Sequence, residues 1–449
     1  MSDLLAIGLS GVTAYRTALA AVADNVANAE NPGYARREVR LREGINTGSR
    51  SPLYREDLLF AGVEAASVAR AWDAYRAADA RYAASGAGRA AVREQWLGAV
   101  ETALGDGPSS VGTAIGGFFN AGEALAATPS DRLARSAMLT ALSIAAGEIR
   151  ETAEALQRVA TGIADAAATE VDGLNADLAA LAEVNDALRQ SKIGGTARAS
   201  MEDERDRLID SIAVRIDVEA SIEANGTASL TLARVSGVTL LDQTQRATVG
   251  AATAADGRIA LTLFANGTTT PLPATGGRLS GLVDVAGSTA DKRAELNATA
   301  QQFVDEVNDW QAGGRTPTGT PGAALLVMTG DASTLATTTG NPAAIAAASG
   351  AGVENGNLLV LGDLRGPGGV ESRWAALVAS HAQALQSARS EASAAATRRD
   401  GSFAARDEVS GIDLDQEAAE LLRYQRAYDG SAKIVQVARD TLQSILDLF

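Results

Sequence analysis

The chain has 449 residues, enough for two to four domains of ordinary size. Its 55 Asp and Glu against 39 Lys and Arg leave a net charge of −16, which argues against nucleic acid as a partner. Aromatic residues make up only 4%, and there is no cysteine, so disulfides and thiolate chemistry are excluded.

The first element in chain order is a helix expected over residues 3–28. Leu5, Val12, Leu19 and Val26 recur at intervals of seven, which lays an apolar stripe along one side of a helix. Ala fills most of the remaining face, giving high helix propensity and room for close approach. The run Asn25-Val26-Ala27-Asn28-Ala29-Glu30-Asn31-Pro32-Gly33-Tyr34 is a stop and a tight turn. Asn and Gly tolerate left-handed backbone there, and Pro disfavours helix at the residue before it. Residues 1–29 lack the basic start and long apolar run of a cleaved signal peptide. No window carries about 18 continuous apolar residues, so no membrane span is expected.

Residues 36–41 alternate, with Val39 and Leu41 on one side, and predict a short extended segment. Residues 44–70 read as irregular or extended. The pattern is then helical over 71–104, anchored by Trp72, Tyr75, Tyr82, Trp96, Leu97 and Val100, and again over 111–127. After Thr128-Pro129, Ser130 or Asp131 can cap a very long helix over 132–190. A shorter helix is expected over 201–214. From Ile216 the character changes to apolar residues set among Thr, Ser and Gly. Ile259, Leu261 and Leu263 alternate before the Asn266-Gly267 turn, so 216–285 reads as a small β domain. Helix returns over 288–312. Residues 313–369 are loops, with short strands around 325–327 and 358–361. A helix over 370–396 and a link over 397–409 lead to the last element.

That element is a helix over 410–449. Leu414, Leu421, Tyr428, Val435, Leu442 and Phe449 fall seven apart, and Glu417, Tyr424, Ser431, Ala438 and Ile445 form a mixed second row. Asp413 and Asp415 sit where the helix dipole favours negative charge. The two terminal stripes match in period, so each is the other's expected partner. Neither has a core of its own, so they are expected to pair only on assembly. The fold class that follows is mainly α with an inserted β domain, a nested multi-domain rod with its terminal helices paired as a coiled coil. The expected domains are 1–34 plus 410–449, a terminal coiled coil; 35–215 plus 286–409, a helical rod; and 216–285, the inserted β domain.

No catalytic or metal-binding constellation stands out. His381 is the only histidine, inside a predicted helix, and reads as a surface or packed residue. Glu202-Asp203-Glu204 lies between arginines and reads as a solvated helix face. Gly276-Gly277 followed by Leu279-Ser280-Gly281 has no phosphate-loop lysine and reads as a turn. The expectation is no enzyme and no cofactor. On residues alone, a secreted coiled-coil adhesin also remains open.

Leu9-Ser10-Gly11, Asp24-Asn25 with Asn28, and Asn31-Pro32-Gly33-Tyr34 with Arg36-Arg37 resemble the amino-terminal motif of bacterial flagellar rod, hook and hook-associated proteins. Ser410-Gly411-Ile412-Asp413-Leu414-Asp415 with Glu417, Leu421, Tyr424-Gln425, Tyr428, Ala432 and Val437 resembles their carboxy-terminal motif. The middle, with Thr128-Pro129, the long helix from Arg132 and the stretch from Gly276 to Asp284, is similar to the flagellar hook-associated protein 1 family. The resemblance covers nearly the whole chain. It implies a structural subunit of the flagellum joining hook to filament, exported by the flagellar type III apparatus and located outside the cell. Another hook-associated junction protein, or another axial protein of rod or hook, is the alternative. The implied partners are copies of the chain in a ring, the hook protein, a neighbouring hook-associated protein and an export chaperone at the C-terminal helix. No nucleic acid and no membrane insertion are implied. The expected assembly residues are Leu5, Val12, Leu19, Val26, Leu414, Leu421, Tyr428, Val435, Leu442 and Ile445. The family turn motif is Asn25, Asn28, Asn31, Pro32, Gly33 and Tyr34.

Overall fold

The computed structural model of the protein describes residues 2–31, 33–46, 59–105, 107, 109–192 and 194–447. Pro32 of the turn motif and Phe449 of the C-terminal stripe lie outside these residues. The chain opens with α1 (Ser2–Ala27) and a hairpin of β1 (Arg37–Asn46) and β2 (Leu59–Arg70). Four helices follow: α2 (Ala74–Leu104), α3 (Val111–Ala127), α4 (Arg132–Gln190) and α5 (Thr196–Arg215). Their starts are set locally. Ser110 accepts a hydrogen bond from the Thr113 N–H ahead of α3, and Asp131 accepts one from the Leu133 N–H at 2.8 Å ahead of α4. With 59 residues, α4 is about 90 Å long and is the axis of the rod.

Two small antiparallel sheets come next. One joins β3 (Val218–Ile222), β4 (Ala228–Leu232), β5 (Thr239–Asp242) and β6 (Gln245–Arg246) in sequence order. The other joins β7 (Thr248–Thr253), β8 (Ile259–Ala265) and β9 (Thr268–Pro271). Both are completed from α4. Asn185 donates to the Ala228 carbonyl and accepts from the Ala228 N–H, both at 2.8 Å, and Asn175 does the same for Val249. The long α6 (Gly277–Gly313) returns to the rod. Loops holding β10 (Leu326–Val327), β11 (Ala336–Thr337) and α7 (Gly356–Leu361) lead to α8 (Val370–Ser410), and α9 (Leu414–Leu446) ends the fold.

The apolar interior is strung along α4. Around its first half, Phe118, Phe119 and Phe303 form an aromatic centre, with Phe118 5.3 Å from Phe119 and 5.8 Å from Phe303. Around its second half, Leu174 and Leu178 share one cluster with Ile209 and Ile212 of α5 and with Leu230, Leu241 and Leu261 of the sheets. The β block therefore has no core separate from the rod. The terminal helices have a thin core of their own in Ala18, Val22 and Tyr424, flanked by Tyr15, Leu19, Leu421 and the hairpin residues Val39 and Leu41.

Several expectations are corrected. The helix expected to begin at 288 starts at Gly277, because the Gly276-Gly277 pair is the entry to a helix rather than a free turn. Gly277 has φ +70°, and a Cβ there would lie 2.4 Å from the Arg215 carbonyl carbon and oxygen, so only glycine fits. The expected strand at 358–361 is part of α7, and the expected link at 397–409 is the continuation of α8. Tyr75 and Tyr82, expected as anchors of α2, are exposed. The hairpin, expected with the rod, packs on α1 instead. His381, read as a surface or packed residue, is the packed kind, in keeping with that reading: it is 2% exposed, with Nε2 2.9 Å from the Leu97 carbonyl. Leu4–Ala27 is long and apolar enough to cross a membrane by length and composition, against the expectation of no such segment. In this fold it lies against α9 and the hairpin.

Candidate assembly interface

The terminal helices pair within the single chain, where the sequence led us to expect pairing only on assembly. They run antiparallel. Gly8 faces Val435, Gly11 faces Ser431, Tyr15 lies 6.4 Å from Tyr424 ring to ring, and Asn25 bonds Glu417. In α1 the seam is Gly8, Gly11, Tyr15, Ala18, Val22 and Asn25, a spacing of three and four that repeats every seven. A Cβ on Gly8 would lie 2.7 Å from Val435 Cγ2, and one on Gly11 would lie 2.4 Å from Ser431 Oγ. The helices meet this closely because these positions have no side chain.

The expected stripe of α1 is therefore displaced. Leu5, Val12 and Leu19 are half-buried beside the seam, and Val26 is exposed. In α9 the mixed row is the more buried one: Glu417, Tyr424 and Ala438 are covered, while Leu421, Tyr428 and Val435 are half-buried. Leu414 is exposed. Leu442 and Ile445, at 37% and 41%, are exposed too. Leu4, Leu9, Leu422, Ile434, Val437 and Leu446 are further large apolar residues left open on the two helices.

One buried polar group fixes the register. Asn25 is 1% exposed. Its Oδ1 accepts from the Arg37 N–H at 2.9 Å and from the Tyr34 hydroxyl at 3.0 Å. Its Nδ2 donates to the Arg37 carbonyl and to Glu417 Oε2, both at 3.0 Å. Helix α1, the turn, β1 and α9 thus meet on one amide whose donors and acceptors are all satisfied. Asn28 donates to the Asp24 carbonyl, and Asn31 donates to Asn28 Oδ1 at 2.6 Å, which closes the turn. Gly33 has φ +81°, and its backbone lies against the Arg207 side chain. Burial pushes the Tyr34 hydroxyl up to about 12, against the opposing pull of Arg37, so it remains a donor. Burial also raises Glu417, with the Asn25 hydrogen bond opposing.

Below the turn a charge network joins this unit to the rod. Arg37 reaches Asp24 at 2.8 Å and Asp203 at 3.7 Å. Arg70 at the end of β2 lies 2.6 Å from Asp203 and 2.8 Å from Asp206. Arg81 of α2 spans Asp206 and Asp210, and Arg406 of α8 reaches Asp210 at 2.9 Å. Asp203 is 5% exposed, so the reading of 202–204 as a solvated face is wrong at its central residue. Burial raises Asp203. Burial also pushes Asp206 up, but Arg205, Arg70 and Arg81 together hold it below the usual carboxylate range. The network was missed in the sequence, although Asp203, Asp206 and Asp210 recur at three and four, the spacing of one helix face. Glu417 carried a signal as well: it is a charged residue at a seam position of a heptad.

Comparison with known proteins accords with this geometry. A model of the flagellar hook-associated protein FlgK helical domain matches residues 97–326. A model of the flagellar basal body rod FlgEFG protein C-terminal region matches residues 405–448. The chain is similar to flagellar hook-associated protein 1 of Salmonella typhimurium, 26% identical over 243 residues that make up 54% of this chain and 43% of that protein. The chain thus spans less than half the length of that relative. Flagellar hook-associated protein 1 of Bacillus subtilis is 23% identical across 97% of this chain and 96% of its own. The solved structure of the flagellar hook junction protein FlgK from Burkholderia pseudomallei shares the fold, with a TM-score of 0.66 at 13% identity over 74% of this chain and 100% of that one.

Proposed function

The chain belongs to the flagellar hook-associated protein FlgK family, and on that premise we propose that it is a structural subunit of the bacterial flagellum joining hook to filament. The observation that carries this reading is the uncovered apolar surface of the paired terminal helices. Leu4, Leu9, Val26, Leu414, Leu422, Leu442 and Ile445 are exposed in the single chain, and a row of this kind on a helix pair marks a contact surface. Its occupants in the flagellum are further copies of the chain in a ring, the hook protein and a neighbouring hook-associated protein. The last turns of α9, with Leu442, Ile445 and Leu446 exposed, are what an export chaperone holds before assembly. Export by the flagellar type III apparatus places the subunit outside the cell. The role is mechanical, and the rod and β block are the parts that face away from the assembled helices.

The test is a strain lacking the chain, complemented with Leu442→Asp. Hooks without filaments are expected in the deletion and in the variant. Because Leu442 is 37% exposed and lies near the end of α9, away from the rod clusters, the purified variant is expected to keep its rod folded and to unfold within about 1 kcal/mol of the parent. Normal filaments on the variant would overturn the assembly role of this row. Normal filaments in the deletion would overturn the function itself.

A further inference from the structure

Away from the terminal joint, the start of α4 and the loops after α6 enclose a cleft of about 780 Å³. Three arginines line it: Arg132 and Arg135 from α4, and Arg315 from the loop that follows α6. Arg135 is 7% exposed. Its Nε donates to the Pro129 carbonyl at 2.7 Å and its Nη1 to the Ile345 carbonyl at 2.8 Å. No hydrogen bond of its Nη2 is found among the described residues, and the side chain lines the cleft. No carboxylate pairs with any of the three arginines among the described residues, and burial alone weakens the hold of Arg135 on its proton. Elsewhere in this chain a buried arginine meets an aspartate, as Arg70 and Arg205 do. A buried guanidinium without a counter-ion is costly, and an anion that reaches it from the open side removes that cost. Glu354 is the one carboxylate in the lining, so the cleft is cationic within a chain of net charge −16.

We propose that this cleft binds a small multivalent oxyanion of carboxylate or phosphate type. Arg135, anchored at the base, presents one free edge of its guanidinium. Arg132 and Arg315, both exposed, close on the ligand from the rim. The fork geometry of arginine suits both oxyanion shapes, and the fixed orientation of Arg135 means little order is lost on binding. Backbone from the glycine-containing loops and the hydroxyls of Ser130 and Thr316 complete a polar wall.

The experiment is titration calorimetry on the full chain with citrate and, separately, with inorganic phosphate, at constant ionic strength balanced by chloride. Arg135 also holds the loop carbonyls, so the probe is the double variant Arg132→Gln, Arg315→Gln, whose side chains are exposed and whose fold is expected to be intact. Saturable binding is expected, roughly tenfold or more weaker in the double variant and weaker for both proteins as salt rises. Tighter binding of citrate assigns the site to carboxylates, and tighter binding of phosphate assigns it to phosphates. No saturable heat from either ion, or equal affinity in the parent and the double variant, overturns the proposal.

Discussion

Asn25 is the residue on which the terminal unit turns, because its replacement leaves groups from three other elements without partners. In Asn25→Leu the Arg37 N–H and carbonyl, the Tyr34 hydroxyl and the Glu417 carboxylate all lose a buried bond. Orphaned buried groups cost more than a bond is worth, so a loss of about 2–4 kcal/mol is expected in urea unfolding. Glu417→Gln separates charge from hydrogen bonding: the amide oxygen can still accept from Asn25. The sign of its pH effect follows from the raised pKa. The folded state takes up the Glu417 proton at a higher pH than the unfolded chain, whose ordinary value is 4.5. The contribution of Glu417 is therefore greatest below that value and is lost as pH rises through the window above it. Asp203 acts in the same direction. Asp206, held low, acts in the opposite one: its contribution is present above 3.8 and is lost as pH falls. In Glu417→Gln, stability should therefore gain less from mild acid than it does in the parent. Unfolding midpoints measured across that window would decide it, and identical slopes for the two proteins would sink the idea.

At the scale of the element, the seam depends on what is missing from it. Gly8 and Gly11 let α9 approach the backbone of α1, and the larger Leu and Val residues are pushed to the flanks. Gly11→Leu would place a side chain where Ser431 already stands. A loss of about 1–3 kcal/mol is expected, confined to the terminal unit, since overpacking forces helices apart. Amide exchange should show α9 losing protection while α4 keeps it. Unchanged protection of α9 would argue that the helices do not meet at Gly11. Periodicity alone identified both helices as stripe-bearing, but it favoured the bulkier row. In α1 the pairing side is the smaller one, because close approach of two helices rewards small residues at the contact.

For the molecule as a whole, the decisive feature is how a thin terminal unit is attached to a well-packed rod. The terminal unit has one small cluster, around Ala18, Val22 and Tyr424, whereas the rod has long clusters along both halves of α4. The attachment is ionic. Asp206 alone meets Arg70 from the hairpin, Arg81 from α2 and Arg205 from its own helix. Asp206→Asn keeps the shape and removes the charge that neutralises them. Breaking a buried network by removing one partner costs about 3–5 kcal/mol, and the expected outcome is a lower midpoint in chemical denaturation. An unchanged midpoint would show that solvent already screens the joint. A second result is expected from hydrogen exchange: the hairpin and α1 should open together in this variant, ahead of the rod.

The sequence by itself determined what depends on neighbours a few residues away. Ser110 and Asp131 cap α3 and α4 where the residue pattern places their starts, since a cap needs only the next turn of helix. The two heptad rows, the turn after Asn25 and the inserted strands are likewise short-range signals. Tertiary structure alone decided which side of α1 faces α9, that Asp203 is buried against arginines from distant segments, and that Gly277 passes beside the Arg215 backbone and so begins a helix instead of a turn. The physical reason is the same in each case: burial and pairing are properties of two surfaces, and one stretch of chain carries only one of them.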